Sequence, residues 1–307
     1  MNFSKIKYAL SPMAAYTDAA FRLLCKEYGA DYTVTEFVSS EGLVRDSERS
    51  HELTYISPRE KPAAIQIFGS NVETMTKAAQ LLEKDCDVID VNFGCPAPSV
   101  TRACGGAALL KEPEKIRDII TSIANSISIP VTAKMRLGVT NIDNSIEIAK
   151  IIEKSGAQAL TVHGRTLSQG YSGQANWEQI TKIKKELSIP VFGNGDVTSY
   201  TKAKEFMEKS KVDAVYIGRG ALGNPFIFQH CQNKKDEEVT AKQRITAFVR
   251  YLEIRNELKL RNDLTQIKAH AVCFVRNAKE AGQYRLEITR AKSIDEINDI
   301  TARWLNK

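Results

Sequence analysis

The sequence predicts an α/β fold: a (β/α)8 TIM barrel followed by a small C-terminal α-helical domain. Three observations lead there. Short apolar runs recur eight times before residue 222, with starts 24 to 42 residues apart. The gaps between them carry helix-like patterns. From about residue 240 helical patterns continue with no strand between them.

The eight runs are Tyr8–Met13, Tyr32–Glu36, Ala63–Gly69, Val88–Gly94, Pro130–Gly138, Ala159–Thr166, Pro190–Asp196 and Ala214–Leu222. Near-continuous apolar strands alternating with amphipathic helices indicate a parallel sheet covered on its faces. Helix patterns include Val72–Lys84 and Pro113–Asn125, the latter with Pro in its first turn. The tetrapeptide SIPV precedes two strands, at Ser128–Val131 and Ser188–Val191, as repeated units would have it. A doubly wound open sheet is the alternative, but no G-x-G-x-x-G follows the first strand. Beyond the strands, Ala241–Leu260, Leu264–Ala278 and Ile294–Trp304 read as helices. The charged stretch Gln232–Glu238 is the expected link, which divides the chain into 1–235 and 236–307.

With 307 residues, 43% apolar and 26% charged, the chain fits one large globular domain plus a small one. No apolar stretch approaches a membrane span, and the N-terminus lacks a signal-peptide pattern, so a cytoplasmic protein is expected. A monomer is the default expectation. Six cysteines occur, at 25, 86, 95, 104, 231 and 273. None forms C-x-x-C, and the nine-residue spacing of Cys86, Cys95 and Cys104 fits no metal site, so no metal is expected. The net charge of +6 lies wholly in the tail: residues 240–307 hold 14 Lys and Arg against 8 Asp and Glu, the rest 29 of each. Such asymmetry fits a bound polyanion, or a solvated helical face.

In barrels of this class the active site lies at the C-terminal strand ends. Those ends carry Pro12, Met13 and Ala14; Gln66; Asn92 and Cys95; Lys134 and Arg136; His163 and Arg165; Asn194 and Asp196; Gly218 and Arg219. Polar groups on buried strands cost free energy unless they bind something. Six strands ending this way point to a site. The turns Gly193–Asp196 and Gly218–Gly220 follow the last two strands, where barrels commonly hold a phosphate. A phosphorylated cofactor is expected there. Lys134 and Gln66 would face its ring system; Lys134 could also pair with Asp90 inside the barrel. His163 shares its strand end with Arg165, which favours ligand contact over core packing.

Cys95 ends the strand Val88–Asn92 between Gly94 and Pro96. Its thiol suits a nucleophile or a general acid. No base adjoins it in sequence, and a neutral thiol that donates a proton needs none. Cys104 follows on the next loop as a small turn residue; Cys25 and Cys273 sit on helix patterns and are expected in the core.

These motifs resemble the tRNA-dihydrouridine synthases. SPMAAYTD, IQIFG, DVNFGCP followed by GGAALL, AKMRLG, VHGRT, GNGD and IGRG occur in that family's order along residues 10–222. The resemblance implies an FMN-containing barrel that reduces the C5–C6 double bond of uridines in tRNA with NADPH or NADH. It implies that Cys95 donates a proton to C5, that reduced flavin gives hydride to C6, and that Asn92 orients the uracil. Pro12, Met13, Ala14, Gln66, Lys134, His163, Asn194, Gly195, Asp196, Gly218 and Arg219 fall on its flavin-binding motifs. Arg136 and Arg165 are candidate contacts to substrate. The loop APSVTRACGG, with Arg102 and Cys104, departs from the pattern, so its contacts are not carried over.

Arg250, Arg255, Lys259, Arg261, Lys268, Arg276, Arg285 and Arg290 are the tail's candidates for RNA phosphates. Two rival readings remain: an FMN reductase of free pyrimidines, disfavoured by the basic tail, and a non-catalytic RNA-binding protein, disfavoured by Cys95, Lys134 and His163.

Overall fold

Eight parallel strand positions close on themselves in a computed structural model that describes residues 1–97, 100, 105–276 and 281–306. The strands are β1 (Tyr8–Leu10), β2 (Tyr32–Val34), β3 (Val38–Ser39), β4 (Ala63–Phe68), β5 (Val88–Phe93), β6 (Val131–Arg136), β7 (Ala159–His163), β8 (Val191–Asn194) and β9 (Ala214–Ile217). Each pairs in parallel with its neighbour, and β1 pairs with both β2 and β9, which closes the (β/α)8 barrel. All eight expected strands are present. The short β3 is additional. Thr33 of β2 lies beside Ala63 and Val38 of β3 beside Ile67, so β2 and β3 are two pieces of one barrel position.

Strand parity sorts the residues. In β5, Ile89, Val91 and Phe93 join the large apolar cluster under the helices, while Val88, Asp90 and Asn92 alternate with them and face the barrel axis. The interior is therefore layered. At the base, Phe3 and Ile6 plug the barrel against Ala64, Val88, Ala159, Phe192 and Tyr216. Above them Gln66, Asp90 and Thr132 stand side by side on β4, β5 and β6. One layer higher, Asn92 lies beside Lys134, and His163 beside Asn194.

The SIPV echo has a structural counterpart. The hydroxyl and backbone N–H of Ser128 donate to Glu83, at the end of helix Val72–Leu82. Those of Ser188 donate to Glu153, in the last turn of helix Ser145–Lys154. The same sequence thus tethers the approach to β6 and to β8 in the same way.

Beyond the barrel the described residues form four helices rather than the three expected: Ala241–Glu257, Leu264–Phe274, Ala281–Arg290 and Ile294–Leu305. The link begins at Lys234, because helix Phe226–Asn233 takes in its first two residues. Asp236 in the link accepts the backbone N–H groups of Tyr200 and Thr201, and so ties the link to the start of another barrel helix. The helical segment packs on helix Ala19–Glu27, and its Phe248, Tyr251, Ile254 and Ile267 belong to the same apolar cluster as the barrel's outer face. Cys25 is buried as expected, but Cys273 is only half-buried. Cys104 and Arg102 lie outside the described residues. No helix among the described residues is long and apolar enough to cross a membrane.

Candidate active site

A cavity of about 920 Å³ opens over the C-terminal ends of the strands. Fourteen of the fifteen residues singled out at the strand ends line it: Pro12, Met13, Ala14, Gln66, Asn92, Cys95, Lys134, Arg136, His163, Asn194, Gly195, Asp196, Gly218 and Arg219. Arg165 does not.

The floor is built from the two upper interior layers. Asp90 accepts from Thr132 Oγ1 and Gln66 Nε2, both at 2.6 Å. Gln66 Oε1 accepts from Asn92 Nδ2 at 2.7 Å. Asn92 Oδ1 then accepts the backbone N–H of Gly94 at 2.9 Å and of Cys95 at 2.8 Å. The strand end that carries the thiol is thus held by a side chain from within the barrel.

Cys95 is 7% exposed, and its Sγ accepts the Ala97 N–H at 3.5 Å. Burial pushes its thiol above the usual range, against the opposing pull of that bond and of Lys134 and Arg136. At neutral pH it is a thiol, not a thiolate, which suits a proton donor.

Lys134 is half-buried at the cavity floor, and its ammonium has no hydrogen bond or ion pair among the described residues. The alternative pair with Asp90 is not formed: Lys134 stands beside Asn92, one layer above Asp90, whose oxygens accept from Thr132 and Gln66. Burial first, then Arg136, lowers its pKa to about 8, while Asp90 and Cys95 pull it back up. His163 is lowered to about 2 by burial and by the charges of Lys134, Arg136, Arg165 and Arg219. It is a neutral imidazole across the physiological range.

The two arginines next to these strand ends are braces. Arg136 donates to the carbonyls of Gly94, Thr166 and Gly170, which joins the thiol's loop to the loop after β7. Arg165, 2% exposed, donates to Ser172 O, Gly173 O and the Asp196 carboxylate, leaving Nη1 buried with no partner among the described residues. Asp196 sits at φ 57° beside Gly195 at 129°, and its carboxylate also accepts the Ala175 N–H. The glycine is needed there: a Cβ on Gly195 would come within 2.6 Å of Ala175.

Sequence reasoning did not place Tyr171, Tyr16 or Arg276 in this cavity, although Tyr16 lies in the SPMAAYTD motif and Arg276 is among the tail's candidates for RNA phosphates. Tyr171 on the loop after β7 is exposed, with the guanidinium of Arg219 4.5 Å and that of Arg136 5.7 Å from its ring centre. Tyr16 comes from the loop after β1, and Arg276 from the helical segment. None has a periodic signal: each is exposed or half-buried on a loop or helix end.

Charge decides what fits. Lys134, Arg136, Arg219 and Arg276 line the cavity, with Arg165 behind it. The lining carboxylate, Asp196, is already paired with Arg165 and Arg219. The surplus is positive, and the ammonium of Lys134 is left unmatched, so the cavity suits an anionic ligand. Its volume is in the range of small-molecule and cofactor sites.

Residues 9–304 match the family model described as dihydrouridine synthase. The chain belongs to the dihydrouridine synthase family. It is 35% identical over 303 residues to a probable tRNA-dihydrouridine synthase of Aquifex aeolicus, covering 97% of this chain and 95% of that one. It is 42% identical to tRNA-dihydrouridine synthase B of Pasteurella multocida (73% of this chain, 68% of that one) and 40% identical to that of Escherichia coli (74% and 71%). Family membership makes the chain an oxidoreductase. Among solved structures it resembles a 2-naphthoyl-CoA reductase (TM-score 0.61, 9% identity, 75% of this chain) and histamine dehydrogenase from Rhizobium sp. 4-9 (0.54, 13%, 82%). It spans about half the length of each, and these likenesses concern the fold.

Proposed function

We propose that the chain is a tRNA-dihydrouridine synthase that uses FMN and NADPH or NADH to reduce the C5–C6 bond of uridines in tRNA. The observation that carries this reading is Cys95: a protonated thiol clamped by Asn92 at the edge of a cationic cavity. The relatives named as tRNA-dihydrouridine synthases and the tail's charge support RNA as the substrate.

FMN bound in the cavity would supply hydride to C6 of the base. Lys134 sets positive charge beside the ring system, where it favours the anionic reduced form. Neutral His163 serves as a hydrogen-bonding partner, not as an acid. The Gly193–Asp196 and Gly218–Gly220 turns, with Arg219, would hold the phosphate. Cys95 Sγ–H delivers the proton to C5 once the uridine has left its stack and entered the cavity. Asn92 keeps one amide N–H for the base, because its oxygen and other N–H are engaged.

Residues 1–235 carry the catalysis in this reading, and 236–307 contribute RNA affinity. Within the tail, Arg250 is held by Glu27, Glu253 and Glu257, and Arg255 by Asp18, so neither is free for phosphates. Lys268 donates to Thr289 O, and Arg261 lies 3.8 Å from Glu52. Lys259, Arg276, Arg285 and Arg290 make no ion pair with another described residue and are the preferred phosphate contacts.

The test is direct. Purified protein, incubated with NADPH and tRNA lacking dihydrouridine, should add two hydrogens to specific uridines, read by mass spectrometry of nuclease digests. A protein that binds no flavin and leaves that tRNA unreduced overturns the proposal.

A further inference from the structure

The polar layer beneath the cavity contains an acid that touches no ligand space. Asp90 is 1% exposed, deep in the barrel, and absent from the cavity lining. It is the one carboxylate in a chain of side-chain amides whose direction it dictates. A carboxylate only accepts, so Gln66 must turn its Nε2 toward it. That leaves Gln66 Oε1 facing Asn92, which must present Nδ2. Asn92 then aims Oδ1 at the N–H groups of Gly94 and Cys95. Reversing either amide would set donor against donor in a buried site, at a cost of roughly 1–3 kcal/mol for each unmade bond.

We propose that Asp90 is the positioning residue of this active site: through Gln66 and Asn92 it sets the amide polarity that clamps the Cys95 backbone and holds the thiol in place. Register supports this. Gln66, Asp90 and Thr132 are lateral neighbours on three adjacent strands, and Asn92 stands on the same face one layer up. Asparagine at 90 can keep the relay, with its oxygen toward Gln66 and its amide toward Thr132 Oγ1, which is free to accept. Alanine cannot.

The alkylation test uses the full chain and needs no RNA, so its outcome is separate from the proposed reaction, on which the role of this site rests and which tRNA reduction reads in parallel. Alkylation by iodoacetamide is followed peptide by peptide, with buried Cys25 as the internal control. Asp90→Ala should raise the Cys95 alkylation rate at least tenfold over Cys25, because the loop has lost its clamp. Asp90→Asn should return it to within about twofold of the unmutated protein, whereas a merely charged structural role would not be rescued. Thr132→Val preserves volume and removes one of Asp90's two donors; it should move the rate in the same direction by a smaller factor, and serves if Asp90→Ala does not fold. Cys95 alkylation unchanged in both Asp90→Ala and Thr132→Val overturns the proposal, as does unchanged alkylation in Thr132→Val where the alanine variant is insoluble. Loss of tRNA reduction in every protein, the unmutated one included, would instead count against the reaction.

Discussion

Arg255 and Asp18 join the helical segment to the barrel: the guanidinium meets the carboxylate at 2.5 Å, with the two side chains only 6% and 10% exposed. Tyr251 donates its hydroxyl to the same carboxylate, and Asp18 also caps the helix that begins at Ala19. Asp18 ends the loop that carries Met13, Ala14 and Tyr16 into the cavity. The tail therefore does more than carry charge. It supports one wall of the site.

Arg255→Ala should destabilise the whole protein by roughly 3–5 kcal/mol, because it leaves a buried carboxylate uncompensated. Urea unfolding at neutral pH measures this. A single transition is expected, since barrel and tail share one apolar cluster. For the same reason a chain cut at residue 239 should expose that cluster and lose solubility. A change under 1 kcal/mol in the alanine variant would mean the pair is no fastener.

His270 sits at the same junction, packed against Phe21, Tyr251 and Tyr16, and neither ring nitrogen makes a well-formed hydrogen bond among the described residues, the backbone of Tyr16 being a near polar neighbour. Burial lowers its pKa from 6.5 to about 4, with Asp18 opposing. The folded protein thus binds its proton later than the unfolded chain. Stability is unaffected above pH 6.5 and is lost as pH falls from 6.5 toward 4. At pH 5 the loss from this group is about 2 kcal/mol. His270→Phe keeps the ring contacts and should remove that part of the acid sensitivity between pH 7 and 5. Parallel slopes for the two proteins would show that His270 titrates alike in the folded and unfolded protein.

Much of this was legible in the sequence because barrel strands write their parity plainly. In β5 and β6 outward Ile, Val, Phe and Met alternate with inward Asp90, Asn92, Thr132 and Lys134. Strand β3 was not legible, since two residues carry no period. Helix Ala281–Arg290 was missed because it buries only Ala281, Tyr284 and Ile288, a stripe too sparse to read. Arg165 and Arg255 show the other limit. A charged residue in a functional motif or a basic tail looks like a ligand contact until its partners are seen, and both are spent on internal carboxylates. The relay from Asp90 to Cys95 depends on register between strands, which no single strand records.

Cys95→Ala should leave flavin binding intact and cut uridine reduction roughly 10²-fold or more, the usual worth of a positioned general acid. Cys95→Ser tests the acid directly. It keeps the size and the clamp from Asn92, but its hydroxyl is a far weaker proton donor than a thiol. Reduction of tRNA in single turnover should fall in both variants, while reduction of the bound flavin by NADPH stays unchanged. Full activity in the serine variant would remove the proton-donor role.

Lys134 supplies a pH signature of its own. Its ammonium is held at about pH 8 by burial and by Arg136, against an ordinary value of 10.5. A lysine is charged below its pKa, so the cavity's charge is present at pH 7 and lost as pH rises through 8. If that charge helps to hold an anionic flavin, affinity should weaken by up to about tenfold between pH 7 and 9, the span over which most of the ammonium loses its proton. Lys134→Arg keeps its charge throughout, so its affinity should stay flat over the same span. Lys134→Met should bind weakly and show no such step, which separates the lysine's titration from any titration of the flavin. Quenching of flavin fluorescence at pH 7, 8 and 9 reads all three proteins. A step of equal size in the methionine variant would place the titrating group elsewhere, and Arg136, whose own guanidinium bonds the loop carbonyls, could not replace it without releasing the loop that carries Cys95.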